Sequence, residues 1–261
     1  MKRIILLLAT ILFTTTAFVS DRGTQETAFK EGEYFKFRIH YGIFNASYAS
    51  LQIKNEQLNG KPVYHIVGEG KSTGLLDLFF GVEDYYETYI DRNTVKPYRF
   101  IRKINEGGYT KDLQIDFNHD NNTAIVTDNE AKRSYAQKIE PNTQDMMSAF
   151  YYLRNTVDHT ALKDGDEFLV PMHFDDENFK FKLKFIGRET IRTDFGKINS
   201  LKFIPYVQSG RVFKAKESLT VYISDDYNKI PLKIKAKLRV GSITADLQSY
   251  NGLKHDINFK K

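Results

Sequence analysis

The dominant period along this chain is two. Phe35-Lys-Phe-Arg-Ile39 alternates apolar and basic residues, and so do Phe179-Lys-Phe-Lys-Leu-Lys-Phe185 and Leu232-Lys-Ile-Lys-Ala-Lys-Leu-Arg-Val240. Successive side chains of a strand point to opposite faces, so this spacing puts one face in a core and the other in water, as in an antiparallel sheet. The outward cations also discourage edge-to-edge pairing. Further strands are predicted over residues 46–54, 63–69, 84–91, 98–104, 110–117, 123–128, 133–139, 167–172, 189–193, 200–206, 217–223 and 244–248. Turn-forming residues separate them, most clearly Asn59-Gly60, Glu106-Gly107-Gly108, the Asn118 to Asn122 run, Lys163-Asp164-Gly165-Asp166 and Asp194-Phe195-Gly196-Lys197. About fifteen short strands at this spacing predict an all-β fold, as a large curved antiparallel sheet or a partly open β-barrel.

One segment breaks the period. Pro141-Asn142-Thr143-Gln144 opens a stretch, running to about Val157, in which Met146, Ala149, Phe150, Leu153 and Val157 recur at helical spacing. Asn142 or Thr143 is the expected N-cap, with a side-chain oxygen to accept from an orphan backbone N–H. This central helix lies between two strand-rich halves, either as a plug over the sheet or as a divider between half-sheets. No Pro/Ser-rich linker interrupts the chain, so residues 27–259 are expected to form a single β-rich domain.

The first twenty residues have a different character. Lys2 and Arg3 precede an apolar run from Ile4 to Phe13, broken only by Thr10, and Thr15-x-Ala17 offers a cleavage site. That is the layout of a signal peptide over residues 1–20. Its apolar core is too short to span ~30 Å of hydrocarbon, and no other stretch reaches the ~18 apolar residues of a transmembrane helix. The expected address is the periplasm. With no cysteine in the chain, lipid acylation of the lipoprotein kind, disulfides, thiolate metal sites and a thiol nucleophile are all excluded. Apolar residues at 41% suit a packed globule. The net charge of +5, part of it from Lys2 and Arg3, is too mild to argue for nucleic acid.

Two segments carry candidate chemistry. Ser72 to Gly81 is strongly apolar, and Leu75, Leu78, Phe79 and Phe80 could form a lip for lipid, a partner or an apolar ligand. Its plainer reading is a helical turn closing the end of a barrel. The strand Val82 to Tyr89 sets Glu83, Tyr85, Glu87 and Tyr89 on one face and Asp84, Tyr86 and Thr88 on the other. Tyr85, Glu87 and Tyr89 could make polar contacts to a ligand. Glu83, Asp84 and Glu87 are the candidates for a glycosidase-like carboxylate pair, which needs ~5–9.5 Å between its members. A solvated face with cross-strand partners explains the same residues. The acidic clusters Asp175-Asp176-Glu177 and Asp225-Asp226 read as turns, and the six histidines show no zinc-helix spacing. No cofactor or metal is expected, for there is no P-loop, dinucleotide fingerprint or G-x-S-x-G elbow.

Four segments resemble one family. Ser224 to Leu247 combines an acidic turn, Pro231, a lysine-rich strand and a glycine hairpin at Gly241. With Gly32 to Ala49, Thr73 to Glu87 and Gln144 to Arg154, it resembles the domain of unknown function 3108 family. The resemblance implies an exported protein of Gram-negative bacteria and brings no catalytic residue with it. Each signature also has a structural reading. Pro231, for one, can open an edge strand without donating to a ladder.

The function expected from these readings is an envelope protein holding an amphiphilic lipid or glycan ligand in a concave sheet, with no nucleic-acid partner. A glycan-active hydrolase and a structural protein with an envelope protein partner are the alternatives. Whether the chain is an enzyme stays open, and the residues lean toward binding.

Overall fold

The computed structural model describes residues 27–74, 77, 81–206 and 219–260. Fourteen strands and one helix follow in order: β1 (Tyr34–Tyr41), β2 (Phe44–Leu58), β3 (Lys61–Ser72), β4 (Val82–Asp91), β5 (Pro97–Glu106), β6 (Tyr109–Asn118), β7 (Thr123–Asp128), β8 (Arg133–Lys138), α1 (Met146–Thr156), β9 (Glu167–Phe174), β10 (Glu177–Thr193), β11 (Gly196–Tyr206), β12 (Leu219–Ser224), β13 (Pro231–Lys237) and β14 (Ser242–Asn251). All fourteen strands share one antiparallel sheet, so the all-β expectation with one central helix holds. The predicted strands 179–185 and 189–193 are a single strand, β10, which shifts register between Phe185 and Gly187 and continues.

The topology is two meanders sewn together by the first and last strands. The order runs from β8 down to β1, then from β14 down to β9. β1 pairs with β14, Tyr34 opposite Asn251 and Tyr41 opposite Ile243. The two edges are β8 and β9, and no ladder joins them among the described residues, so the sheet is not a closed barrel. Side chains bridge the seam instead. Asn178 Nδ2 donates to the Lys138 carbonyl at 2.7 Å, and Gln137 Nε2 donates to the Asp176 carbonyl at 3.0 Å. The backbone of Gln144, just before α1, pairs with β9 by donating to the Pro171 carbonyl and accepting from His173 N. Exposed edges invite foreign strands, and these contacts cover part of each. Pro231 does not open an edge strand, because β13 lies between β12 and β14. It is tolerated as the first residue of its strand, beside a register shift at Tyr222/Ile223.

The helix starts later than expected. Its N-cap is Asp145, not Asn142 or Thr143. Asn142 sits at φ 61, in the left-handed region, and Thr143 Oγ1 donates back to the Glu140 carbonyl. That turn carries Gln144 to the β9 edge before the helix can begin. Asp145 Oδ1 accepts from Met147 N at 2.7 Å and Ser148 N at 2.8 Å, while Ser148 Oγ accepts from Asp145 N, a closed capping box.

Both halves of the sheet contribute to the core through α1. Met147 and Tyr151 pack with Phe29, Ile53, Ile66, Ile90, Phe100 and Ile115 of the N-terminal half. Ala149 packs with Val170 and Met172, and Val157 packs with Phe185, Leu201 and Phe203 of the C-terminal half. The helix therefore divides the interior as well as plugging it. Arg154 ties the helix end down. Its guanidinium grips Glu33 bidentately at 2.6 and 2.8 Å and donates to the Asn228 and Ala28 carbonyls.

Candidate functional site

The apolar stripe read from the helix sequence roofs a cavity of about 430 Å³. Met146, Ala149, Phe150, Leu153 and Val157 all face it, and the floor comes from β9 to β13. Cross-strand register orders that floor in rows. Leu201, Ile223 and Pro231 form one row, and Phe203, Val221 and Ile234 the next. Pro205 pairs with Leu183 beyond them, and Phe179 with Met172 farther still. The strand pleat turns every second residue inward, so the outward positions of these strands are lysines such as Lys182, Lys202 and Lys233.

Among the described residues, charge in the lining is confined to Arg154 and Lys229. Both belong to one end, where the last turn of α1 meets the β12–β13 turn. Arg154 is fully engaged by Glu33 and backbone carbonyls, and it sits within 5.5 Å of the ring centres of Phe29, Phe35, Phe150 and Tyr151. Lys229 is only 8% exposed. Burial, and then the neighbouring Arg154 cation, hold its ammonium below the ordinary lysine pKa. Sequence reasoning missed Lys229 because nothing local distinguishes it from the chain's other lysines.

Of the other residues singled out from sequence, those that the structure describes are placed elsewhere. Leu75, Leu78, Phe79 and Phe80 lie outside the described residues. The base of their loop is fixed: Thr73 N donates to the Ala46 carbonyl, and Ser72 Oγ accepts from Val82 N. Glu87 and Tyr89 do come together. His65 bridges Glu56 and Glu87 at 2.6 Å each, Tyr89 donates to Glu87 at 2.8 Å, and the Tyr89 ring stacks on His65 at 4.2 Å. Burial and the Glu87 carboxylate raise the phenol pKa of both Tyr85 and Tyr89. This cluster occupies the strand face opposite Thr88, whose hydroxyl donates to Asp145 of α1 at 2.6 Å. It is thus on the far side of the sheet from the helix. The strand pleat also parts Asp84 from Glu83 and Glu87. Glu83 is exposed beside Lys71, whereas Asp84 is turned to the helix side and pushed up to about 6, by burial first and then by Glu106. Arg102 nearby is held by Asp175 at 2.5 Å.

Among the described residues no cluster of His, Asp or Glu could hold a metal ion. No helix among them is long and apolar enough to cross a membrane.

The model of a family described as protein of unknown function (DUF3108) matches residues 36–248, the strands of both meanders together with α1. This chain belongs to that family. None of the curated proteins matches it. Among solved structures, it is similar to a β-barrel-like protein of domain of unknown function DUF1849 from Brucella abortus. That match has TM-score 0.54 and 7% identity, and covers 85% of this chain and 98% of the other. A protein with a YmcC-like fold from Bacteroides fragilis matches at TM-score 0.35 and 8% identity, over 86% and 98% of the two chains. At such identities only the first likeness speaks, and it speaks for the fold alone.

Proposed function

We propose that this DUF3108 member is an exported envelope protein that holds an amphiphilic ligand, a lipid or a lipid-bearing glycan, in the cavity under α1. The observation that carries the reading is the cavity itself. Its volume of about 430 Å³ lies within the ~300–1,000 Å³ usual for small-ligand sites, and its described walls are apolar, with charged groups at one end. Each methylene moved from water into such a space contributes ~0.8 kcal/mol. Export rests on the leader pattern of residues 1–20, which lie outside the described residues. In this reading Leu75, Leu78, Phe79 and Phe80 form an apolar rim. At the β1–β2 turn, Ile43 at 89% and Phe44 at 64% exposure are apolar side chains standing in water. The Tyr85, Glu87 and Tyr89 set serves as cross-strand support for the sheet.

The test is titration of a fluorescent acyl probe into protein stripped of bound lipid. Saturable binding at one site per chain is expected. Leu153→Trp combined with Val221→Phe, filling the space from roof and floor, should abolish it while the far-ultraviolet circular dichroism is retained. Unsaturable binding, or unchanged binding in the filled variant, would sink the proposal.

Glycan hydrolysis is the second reading, and one observation favours it. A carboxyl pushed up to about 6, Asp84, lies beside a second carboxylate, Glu106. Any hydrolysis of glycan strands that survives Asp84→Asn would remove that support.

A further inference from the structure

We propose that the ligand of this cavity is a single-chain anionic amphiphile, bound with its acid group against Lys229 and its hydrocarbon chain running toward Phe179. The inference rests on the amphiphile-binding reading above and adds the sign of the headgroup and the direction of the chain.

Three observations point the same way. The first is the polarity of the lining, which places Arg154 and Lys229 at one end and apolar side chains from there to Phe174, Phe179 and Pro205. Among the described residues, a chain laid along that floor meets charge at that end alone.

The second is the difference between the two cations. Arg154 is matched by the carboxylate of Glu33, itself fully buried, and needs nothing more. Lys229 has no such match. Among the described residues no carboxylate lies within ion-pair distance, and its ammonium makes one long contact, 3.5 Å to the Tyr227 carbonyl. Asp226 and Asp158 favour the charged form of Lys229 only through space, and burial together with Arg154 outweighs them. Asp226, the nearest acid along the chain, uses its hydrogen bonds on the turn. Its Oδ1 accepts from Ser224 Oγ, Asn228 N and Lys229 N, fixing the turn. A buried ammonium short of partners is costly, and an anion entering the cavity removes that cost.

The third is that the backbone carrying the cation is held in place. Lys229 has φ 47, in the left-handed region, and the Asp226 oxygen and the bonded Asn228 side chain brace its turn. A cation on a braced turn selects a headgroup better than one on a loose loop, because less order is lost on binding. The Lys229 charge also opposes a cationic amphiphile, and a neutral one leaves the ammonium unmatched.

The experiment compares palmitate with methyl palmitate by displacement of the fluorescent acyl probe from the wild-type protein. The acid is expected to bind at least about tenfold more tightly, as befits one charge-assisted contact away from water. Lys229→Gln should bring palmitate down to the level of the ester without changing the ester, and Lys229→Arg should keep the preference. Equal binding of acid and ester to the wild type overturns the anionic assignment and leaves the cavity reading standing. Failure of both to displace the probe overturns the two together. The comparison of acid with ester needs no variant, so a misfolded Lys229→Gln would not spare the proposal.

Discussion

Asp145 caps α1 from a position wholly shut off from water. Its oxygens accept from two backbone N–H groups and the Thr88 hydroxyl, all of which favour the carboxylate. Burial outweighs them, and the carboxyl is pushed up to about 6 from 3.8. A folded-state pKa above the unfolded one means that this group's contribution to stability is complete below pH 3.8 and fades as the pH rises through 6. Asp145→Asn keeps the cap acceptor and removes the charge. Its stability should equal that of the wild type near pH 4 and exceed it by ~1–3 kcal/mol at pH 7, measured by urea unfolding across that range. A flat difference would show that folding leaves the pKa of this carboxyl unshifted. Asp145→Ala, which loses the acceptor as well, should cost ~1–2 kcal/mol. The sequence offered Asn142 and Thr143 as better-looking caps. Asp145 took the role because Gln144 must first pair with β9, which local propensity does not record.

The element that organises the interior is α1. Its apolar stripe was legible because a helix brings residues three and four apart onto one face. The stripe's purpose was not legible, because burial in a packed core and exposure to a cavity demand the same side chains. Arg154, at the C-terminal end, reads in sequence like any surface arginine of a last turn. It is instead almost fully buried with Glu33. Breaking such a pair leaves a charge without a partner, so Arg154→Ala should cost ~3–5 kcal/mol. Arg154→Met with Glu33→Leu should recover much of that loss. Chemical denaturation of the three proteins checks it, and a double variant no better than the single would place the cost in the lost bonds to the Asn228 and Ala28 carbonyls and the lost aromatic contacts. At the level of strands, β10 shows why two predicted elements became one. A local register shift at Gly187, with φ 135, lets the ladder continue past an interruption in the alternation.

At the scale of the molecule, the pairing of β1 with β14 joins the two meanders, and the C-terminal tail closes over the join. Leu253, Ile257 and Phe259 pack on Phe35 and Leu247, and Lys254 Nζ reaches Thr27 Oγ1 at 2.6 Å. At Gly252 the tail runs so close that an added Cβ would lie 2.1 Å from the Gly32 carbonyl oxygen, with φ 66 besides. Gly252→Ala should therefore destabilise the whole sheet by ~2 kcal/mol or more. If residues 27–259 are one domain, the loss will appear as a lower midpoint of a single thermal transition. Two resolved transitions would separate the meanders.

The sequence by itself determined the class of this protein: an antiparallel all-β fold, the positions of nearly all strands, the helix and its apolar face. Those follow from periodicity, which is a local property of the chain. The tertiary structure decided what periodicity cannot carry. Sheet order set β1 beside β14, and packing decided which face of β4 turns toward α1, the face of Asp84 and Thr88. Packing of α1 across β9 to β13 made a cavity, and a turn distant in sequence brought Lys229 to its end. Residues meet there across separations that no local pattern encodes, which is why the helix stripe could be read in advance and the lysine at the cavity's end could not.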